Sequence, residues 1–558
     1  MKKLLSLLTF SLICIHCAVV EAPPGGPVDN TPPDILTTIP ESNSIGIEKN
    51  SVFKITFSES MNHDLTEKAI FLSPVFWDYP TYKWSGKILT IIPPENLKDN
   101  TTYILTIGAG AIDINGNKLG KSLNMAFSTG AVIDSGSISG AVYTDDNSKT
   151  TFDIWAYMLA NADSLEFWKN IPDYATQTDS LGGFNIDHLG DGNYLVVAID
   201  DRNDDLFWDP AAEPLALPPS IIDLRSEEHI RNINLRPNRR DTTTAYISRV
   251  TPLNSQAIAI ELSQLAARKA MLNSDSYSVH EVGNDSILST GQAYFSDGDK
   301  INLETVAQIP DRLYKVSPVN LQTVWGIPFD TAGGRFTGTS IPDTVGPKLL
   351  GSFPSNKSTT AYQDSVIELT FSERLQVIGL TDNIIVTADS IEILPYTSIW
   401  IEPNVARLRF AAKIPRERAI RVEFNTSEIF DNHKNRMPDS ALSFQFRLPP
   451  IDTVGEAQAI LTQIPNDRVI GKLKSYRRGG ETYLGLFNKE GVLNIGSIMP
   501  GSYRFEYFID SDTNGEWSPG ILEPFAPAEW FEIMPETLFV RSRWTTDIGT
   551  ISVPESRR

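Results

Sequence analysis

Apolar and polar residues alternate in short runs along most of the chain, and Gly, Pro, Asn and Asp punctuate the runs. SVFKITF (Ser51–Phe57), KILTIIP (Lys87–Pro93), TYILTIG (Thr102–Gly108) and YLVVAID (Tyr194–Asp200) are examples. They are answered later by AIAIEL (Ala257–Leu262), SVIELTF (Ser365–Phe371), AIRVEF (Ala419–Phe424) and YRFEYF (Tyr503–Phe508). A period of two puts every second side chain on one face, so each run predicts a strand with one buried and one solvated side. β-Branched and aromatic residues dominate the runs, as a pleated, half-buried surface favours. Past the first twenty residues no stretch sustains a 3.6-residue period, and the best short helical candidate is ELSQLAARKAML (Glu261–Leu272). The pattern therefore predicts an all-β protein built of antiparallel β-sandwiches.

The runs also recur in order. SVFKITFSESM (Ser51–Met61) matches SVIELTFSERL (Ser365–Leu375), and the Asp/Asn turn AIDINGNKLGKS (Ala111–Ser122) matches IFDNHKNRMPDS (Ile429–Ser440). Further on, GNYLVVAID before one acidic loop answers GSYRFEYFID before another, with Trp208 and Trp517 at equivalent places. A near-constant offset of roughly 310–320 residues means that a two-module unit is duplicated around an intervening domain. The predicted order is A (31–130), B (135–237), C (242–342), A′ (343–449) and B′ (451–554), a tandem array of about five modules. C is expected to be a diverged sandwich, because ISRVTPLNSQAIAIELS resembles the opening of A. Boundaries carry turn and linker residues, as in RPNRRDTTT from Arg236 and SIPDTVGP from Ser340.

On these residues the sequence resembles known families. A strand ending Phe57-Ser58-Glu59-x-Met61, the hairpin around LKDNTTY and the turn Asp113-x-x-Gly116-Asn117 resemble the SbsA-type bacterial Ig-like domain. A′ keeps Phe371-Ser372-Glu373 but has Leu375 for the Met and Lys434 for the Gly. B and B′, with Gly-x-Tyr opening a strand ahead of an acidic loop, resemble transthyretin-like, carboxypeptidase-regulatory-type sandwiches of multidomain bacterial lipoproteins. The resemblance implies architecture and surface location far more than an activity.

Charge and leader refine this picture. A net charge of −21 without Lys/Arg clusters excludes a nucleic-acid partner. MKKLLSLLTFSLICIHC has a basic start and an apolar stretch too short to span a bilayer, so residues 1–22 read as a signal peptide and 23–30 as a linker. Both cysteines, Cys14 and Cys17, fall there, so the modules are expected to hold without disulfides. Cys17 ahead of a Pro/Gly-rich tether resembles the lipidated cysteine of a bacterial lipoprotein, although Cys14 and His16 depart from the usual lipobox; the alternative is a secretory signal cut near Ala22.

Two loops carry candidate chemistry. In the first, Asp201, Asn203, Asp205 and Asp209 are spaced two or four apart with Glu213 beyond; in the second, Asp510, Asp512, Asn514, Glu516 and Glu523 take similar places. Alternating oxygens on a tight loop suit a hard cation, making calcium the candidate cofactor. Gly515 occupies the sixth place as a calcium turn prefers, Leu206 does so in the first copy, and neither loop has the twelfth-position Glu of an EF-hand. The alternative is a hairpin loop whose Asp and Asn cap their own backbone while the Trp packs on the sandwich. Six scattered histidines offer no zinc spacing, and Ser58 and Ser372 lack a nearby His, so no catalytic residues are predicted. Phe76, Trp77, Tyr79, Tyr82 and Trp84 are either a sugar-stacking platform or alternating core and cross-strand rings. The expected function is an exported envelope scaffold, adhesion or binding protein, held at the membrane only by an N-terminal lipid and facing other envelope proteins or polysaccharide. The alternatives are an accessory or catalytic protein acting on envelope polysaccharide, and a subunit of an outer-membrane assembly.

Overall fold

Seven strands build module A. β1 (Ile35–Ile39), β2 (Phe53–Phe57), β5 (Ile88–Ile92) and β4 (Thr81–Ser85) pair in that order as one antiparallel sheet. β3 (Ile70–Ser73), β6 (Thr102–Ile107) and β7 (Leu123–Ser128) form the second. The alternation in FKITF acts as the pattern predicts: Phe53, Ile55 and Phe57 are fully buried while Lys54 is exposed. They meet Leu89, Ile91, Tyr103, Ile107 and Phe127 between the sheets, with Phe53 stacked on Phe127 at 4.8 Å. Each such side chain contributes about 1.5–3 kcal/mol on leaving water, so one face of each strand suffices to fix the sandwich. In the aromatic run, Tyr82 and Trp84 pair across the hairpin with Ile91 and Leu89. Trp84 also stacks on His63 at 4.3 Å and donates its Nε1–H to Glu67 at 2.6 Å. Trp77 and Tyr79 alone of that run stand exposed, at 74% and 65%.

The computed structural model describes residues 29–144, 151–159, 167–203, 205–210, 212–225, 228–241, 243–284, 286–296, 298, 300–359, 366–376, 380–438 and 442–554. The leader and Cys17 lie outside the described residues. The chain divides into two compact units, one of residues 1–72 and 76–133, the other of 73–75 and 134–558.

Module C repeats the plan of A strand for strand. Ile247–Asn254, Ala257–Leu262, Ile301–Thr305 and Thr290–Phe295 make the four-stranded sheet, and Tyr277–Glu281, Leu313–Pro318 and Gly334–Thr337 the three-stranded one. Module A′ does the same with Leu349–Phe353, Val366–Phe371, Val405–Phe410 and Tyr396–Glu402 against Ile384–Ala388, Ala419–Phe424 and Ser443–Arg447, adding the short edge strand Glu392–Ile393. Within the helical candidate of residues 261–272 only Arg268–Met271 is helical. The candidate's first two residues, Glu261 and Leu262, instead end the strand Ala257–Leu262 that the alternation of AIAIEL predicts, which pairs with Ile301–Thr305 and buries Ile258 and Ile260 completely.

Modules B and B′ share a different topology. In B, β8 (Gly136–Val142) sits between antiparallel β11 (Gly183–Leu189) and parallel β15 (His229–Leu235). The facing sheet runs β10 (Tyr174–Gln177), β9 (Asp153–Leu159), β12 (Gly192–Ile199) and β13 (Leu215–Ala216), with β14 (Ile222–Leu224) on the far end of β12. B′ reproduces this with Val492–Ile498, Gly455–Leu461 and Thr545–Ile551 against Thr482–Leu486, Arg468–Ser475, Gly501–Asp510, Phe531–Ile533 and Leu538–Val540. The fold is thus an all-β tandem of Ig-like sandwiches.

In the second unit the modules are joined by specific contacts. Arg268 makes a fork to Glu402 at 2.7 Å on both arms, and Asn404 Nδ2 donates to the Phe295 carbonyl, which ties C to A′. B′ returns to B. Asn234 Nδ2 donates to the Phe531 carbonyl, and Arg236 pairs with Glu506 at 2.9 Å with both side chains nearly enclosed. The Arg236 guanidinium lies over Phe531 and Trp517 at 4.3 and 4.7 Å. Arg240, 3% exposed, donates to the carbonyls of Pro519 and Gly520.

Candidate functional site

The two acidic loops leave equivalent strands in equivalent ways. β12 and Gly501–Asp510 both begin Gly-x-Tyr, and each Tyr hydroxyl donates to the carbonyl four residues back: Tyr194 to Gly190 at 2.9 Å and Tyr503 to Met499 at 2.7 Å. These part-buried corner bonds fix the strand just ahead of the loop. The apolar strand then runs out at Asp201 and Asp510, whose carboxylates each accept the N–H five residues on, from Leu206 and Gly515. Both of those residues have positive φ, 61° and 84°. Asn203 and Asp512 cap the next turn by accepting the N–H of Asp205 and Asn514. Asp205 and Asn514 in turn accept from Phe207 and Glu516.

A buried glutamate closes each loop. Glu213 accepts the N–H groups of Arg202 and Asp209, while its carbonyl takes the Trp208 Nε1–H. In B′ that place belongs to Glu529, which accepts from Ser511 and Ser518 and whose carbonyl takes Trp517 Nε1–H at 2.7 Å. Glu523, which spacing pairs with Glu213, sits instead in an inserted turn where Ile521 and Ala526 bridge. The insertion hides Glu529 from sequence spacing; the signal that finds it is the Trp-to-glutamate-carbonyl bond common to both loops.

The loops differ in charge. In B′ one carboxylate oxygen each of Asp510, Asp512 and Glu529 lie within 4.8 Å of one another. Burial pushes Glu529 up to about 7, with the Asp512 carboxylate adding to the effect against the stabilising N–H groups of Ser518 and Ser511. Glu516 is exposed and outside the cluster. In B the third place is the neutral Asn203, and the Arg202 guanidinium reaches back to Asp200 at 3.0–3.1 Å. Asp209 is exposed there, and Asp205 half-buried. Among the described residues the B loop gathers no comparable trio of carboxylates.

A second acidic feature recurs in A and A′. Asp113 accepts the N–H groups of Asn115 and Asn117 and the Asn117 side-chain amide; Asp431 accepts the same three bonds from His433 and Asn435. The glutamate of each Phe-Ser-Glu strand end stands beside this turn. Burial, then Asp113 and Asp29, raise Glu59; burial, then Asp431 and Asp343, push Glu373 up to about 8. Ser58 and Ser372 are used structurally, accepting the N–H of Asp34 and Lys348.

Residues 29–129 and 343–447 match Big_5, the bacterial Ig-like domain. Modules A and A′ fall on those two segments, and the topology of C extends the same Ig-like plan to a third sandwich. No curated protein matches the chain. Among solved structures, the N-terminal part of the bacterial S-layer protein SbsC is similar at TM-score 0.16 and 10% identity, over 37% of this chain and 44% of that one. The chain therefore spans less than half of that S-layer fragment. The longer SbsC structure rSbsC(31-844) gives TM-score 0.14 and 12% identity over 92% and 67%. BcpA, the major pilin subunit of Bacillus cereus, gives 0.13 and 10% over 75% and 99%.

Proposed function

We propose that the chain is an exported cell-envelope scaffold, a lipoprotein held through Cys17 whose Ig-like modules present surface to envelope proteins or polysaccharide. The observation that carries this reading is where the chain spends its buried charge. Arg236, Glu506 and Arg240 serve joints between modules, and Glu213 and Glu529 brace loops. Such investment suits a protein whose task is to hold modules in place, and the match of A and A′ to bacterial Ig-like domains supports a surface setting. Modules B and B′ are read as transthyretin-like, carboxypeptidase-regulatory-type sandwiches that space the Ig-like ones. The role is structural rather than catalytic.

The test is localisation of the full chain with a C-terminal tag, beside Cys17→Ser. The parent is expected to fractionate with envelope membranes and to be cleaved by protease added to intact cells, and the variant to be released in soluble form. A parent protein that keeps its leader and stays in the cytosol overturns the export reading, and a variant that still sediments with membranes overturns the anchor.

A further inference from the structure

The B′ loop holds three carboxylates in one place against little positive charge. Among the described residues the one guanidinium in ion-pair range of Asp510 is that of Arg468, whose Nη1 lies 3.5 Å from Asp510 Oδ2 and whose side chain is 45% exposed. An independent feature points to a missing partner. Asp510 is 1% exposed; its Oδ1 accepts the Gly515 N–H, but its Oδ2 is buried and receives no hydrogen bond. A buried carboxylate oxygen is normally met by donors or a cation, because leaving it unmet forfeits its hydration without return.

We infer that Asp510, Asp512 and Glu529 bind a calcium ion that fastens the B′ loop to its neighbouring modules. The donor set is oxygen only, with no Cys or His in the trio, which suits a hard cation. Calcium takes six to eight oxygens at about 2.3–2.6 Å in flexible geometry, and a loop with Asp at its first and third places, Asn514 at the fifth, Gly515 at the sixth and a distal glutamate supplies oxygens in that manner. Ser518 Oγ, 2.7 Å from Asp512 Oδ2, adds a further oxygen at the rim. Magnesium, which demands near-ideal octahedra and holds its waters, fits this crowded set less well.

The same loop takes part in the contacts of B′ with B and C. Trp517 stacks edge-on against Phe531 at 5.4 Å beneath the Arg236 guanidinium, and the carbonyls of Pro519 and Gly520 accept from Arg240. Ala528 N–H donates to the Pro218 carbonyl of B, and Ile521 lies against Gly326 of C, leaving no space there for a Cβ. An ion that orders residues 510–529 therefore favours the seated arrangement of three modules, and by linkage the seated modules favour the ion.

Full-length protein freed of metal by chelation is titrated with Ca²⁺, following its melting temperature, and with Tb³⁺, following tryptophan-sensitised luminescence. Calcium is expected to raise the melting temperature by several degrees and to displace Tb³⁺ from a single tight site. Asp512→Asn, an exposed and conservative change, is expected to weaken Tb³⁺ binding roughly tenfold or more, since ligand charge sets affinity in such loops. Asp201→Asn in the B loop is expected to leave the titration unchanged. Absence of a calcium shift and of Tb³⁺ luminescence in the parent overturns the inference. A response that survives Asp512→Asn, or one lost on Asp201→Asn instead, overturns the site.

Discussion

At the level of single residues, backbone conformation and buried charge make the repeated turns unequal. Gly116 and Lys434 hold the same turn position at φ 94° and 67°. A Cβ at Gly116 would meet nothing within 4 Å, so the cost of a side chain there is conformational rather than steric. A non-glycine residue in this region costs about 1 kcal/mol, partly offset by the greater freedom glycine has when unfolded. Lys434→Gly is thus expected to stabilise the full chain by about 0.5–1 kcal/mol in urea unfolding, and Gly116→Lys to destabilise it by about 1 kcal/mol. Glu373 gives the turn of A′ a pH dependence. It faces Asp343, which pairs with His433, as well as Asp431 and the Tyr294 hydroxyl, and burial with the two aspartates pushes it up to about 8 from an ordinary 4.5. The folded state therefore binds this proton more tightly, and the stability it confers is complete below about 4.5 and lost as pH rises through about 8. Between pH 5 and 8.5, Glu373→Gln is expected to flatten the fall in unfolding free energy by about 1–2 kcal/mol once solvent screening is allowed for. An unchanged slope would show that Glu373 is ordinary in the folded protein.

At the level of elements, the strand-then-loop unit shows how far one sequence exposes its own design. Alternation predicted β2, whose every second residue is buried, whereas β6, β12 and the second half of Gly501–Asp510 are buried on both faces and were legible as short apolar runs of β-branched and aromatic residues between turn residues. The doubled loop was legible too, as Asp201, Asn203 and Asp205 answer Asp510, Asp512 and Asn514 at fixed spacing. Glu529 was not, because an inserted turn of no periodicity separates it from Trp517, and its partners are backbone N–H groups that carry no residue signature. The corner tyrosines lay between these cases: Gly-x-Tyr was visible, but the carbonyl that receives the hydroxyl was not. Each corner bond is part-buried and made by a buried tyrosine, so Tyr194→Phe and Tyr503→Phe are each expected to cost about 1–2 kcal/mol, with the loop ahead becoming more sensitive to protease. Circular dichroism melts give the first quantity, and timed proteolysis the second.

At the level of the whole molecule, the segment that the sequence marks as punctuation is a principal joint. RPNRRDTTT reads as a charged linker, since Arg in a turn-rich stretch is usually solvated. Instead Arg236 is enclosed by Phe531, Trp517 and Glu506, and Arg240 is buried deeply enough that desolvation pulls it down to about 10. No local pattern announces this, because the partners lie about 280 residues away and include bare carbonyls. Burying a guanidinium is costly unless its donors are used, and Arg240 uses Nη1 and Nη2 on Gly520 and Pro519 while its Nε is buried without a hydrogen bond and its guanidinium lies 5.2 Å over the Trp325 ring. Its fork geometry matters as much as its charge, because an ammonium cannot address two adjacent carbonyls in one plane. Arg240→Ala is therefore expected to destabilise the seating of B′ by about 2–4 kcal/mol, and Arg240→Lys to recover only part of that loss. In calorimetry the parent should melt B, C and B′ together, whereas Arg240→Ala should release B′ as a separate, lower transition. If the variant keeps a single transition at the parent's temperature, the joint contributes nothing to the coupling of the modules, and each sandwich stands on its own core.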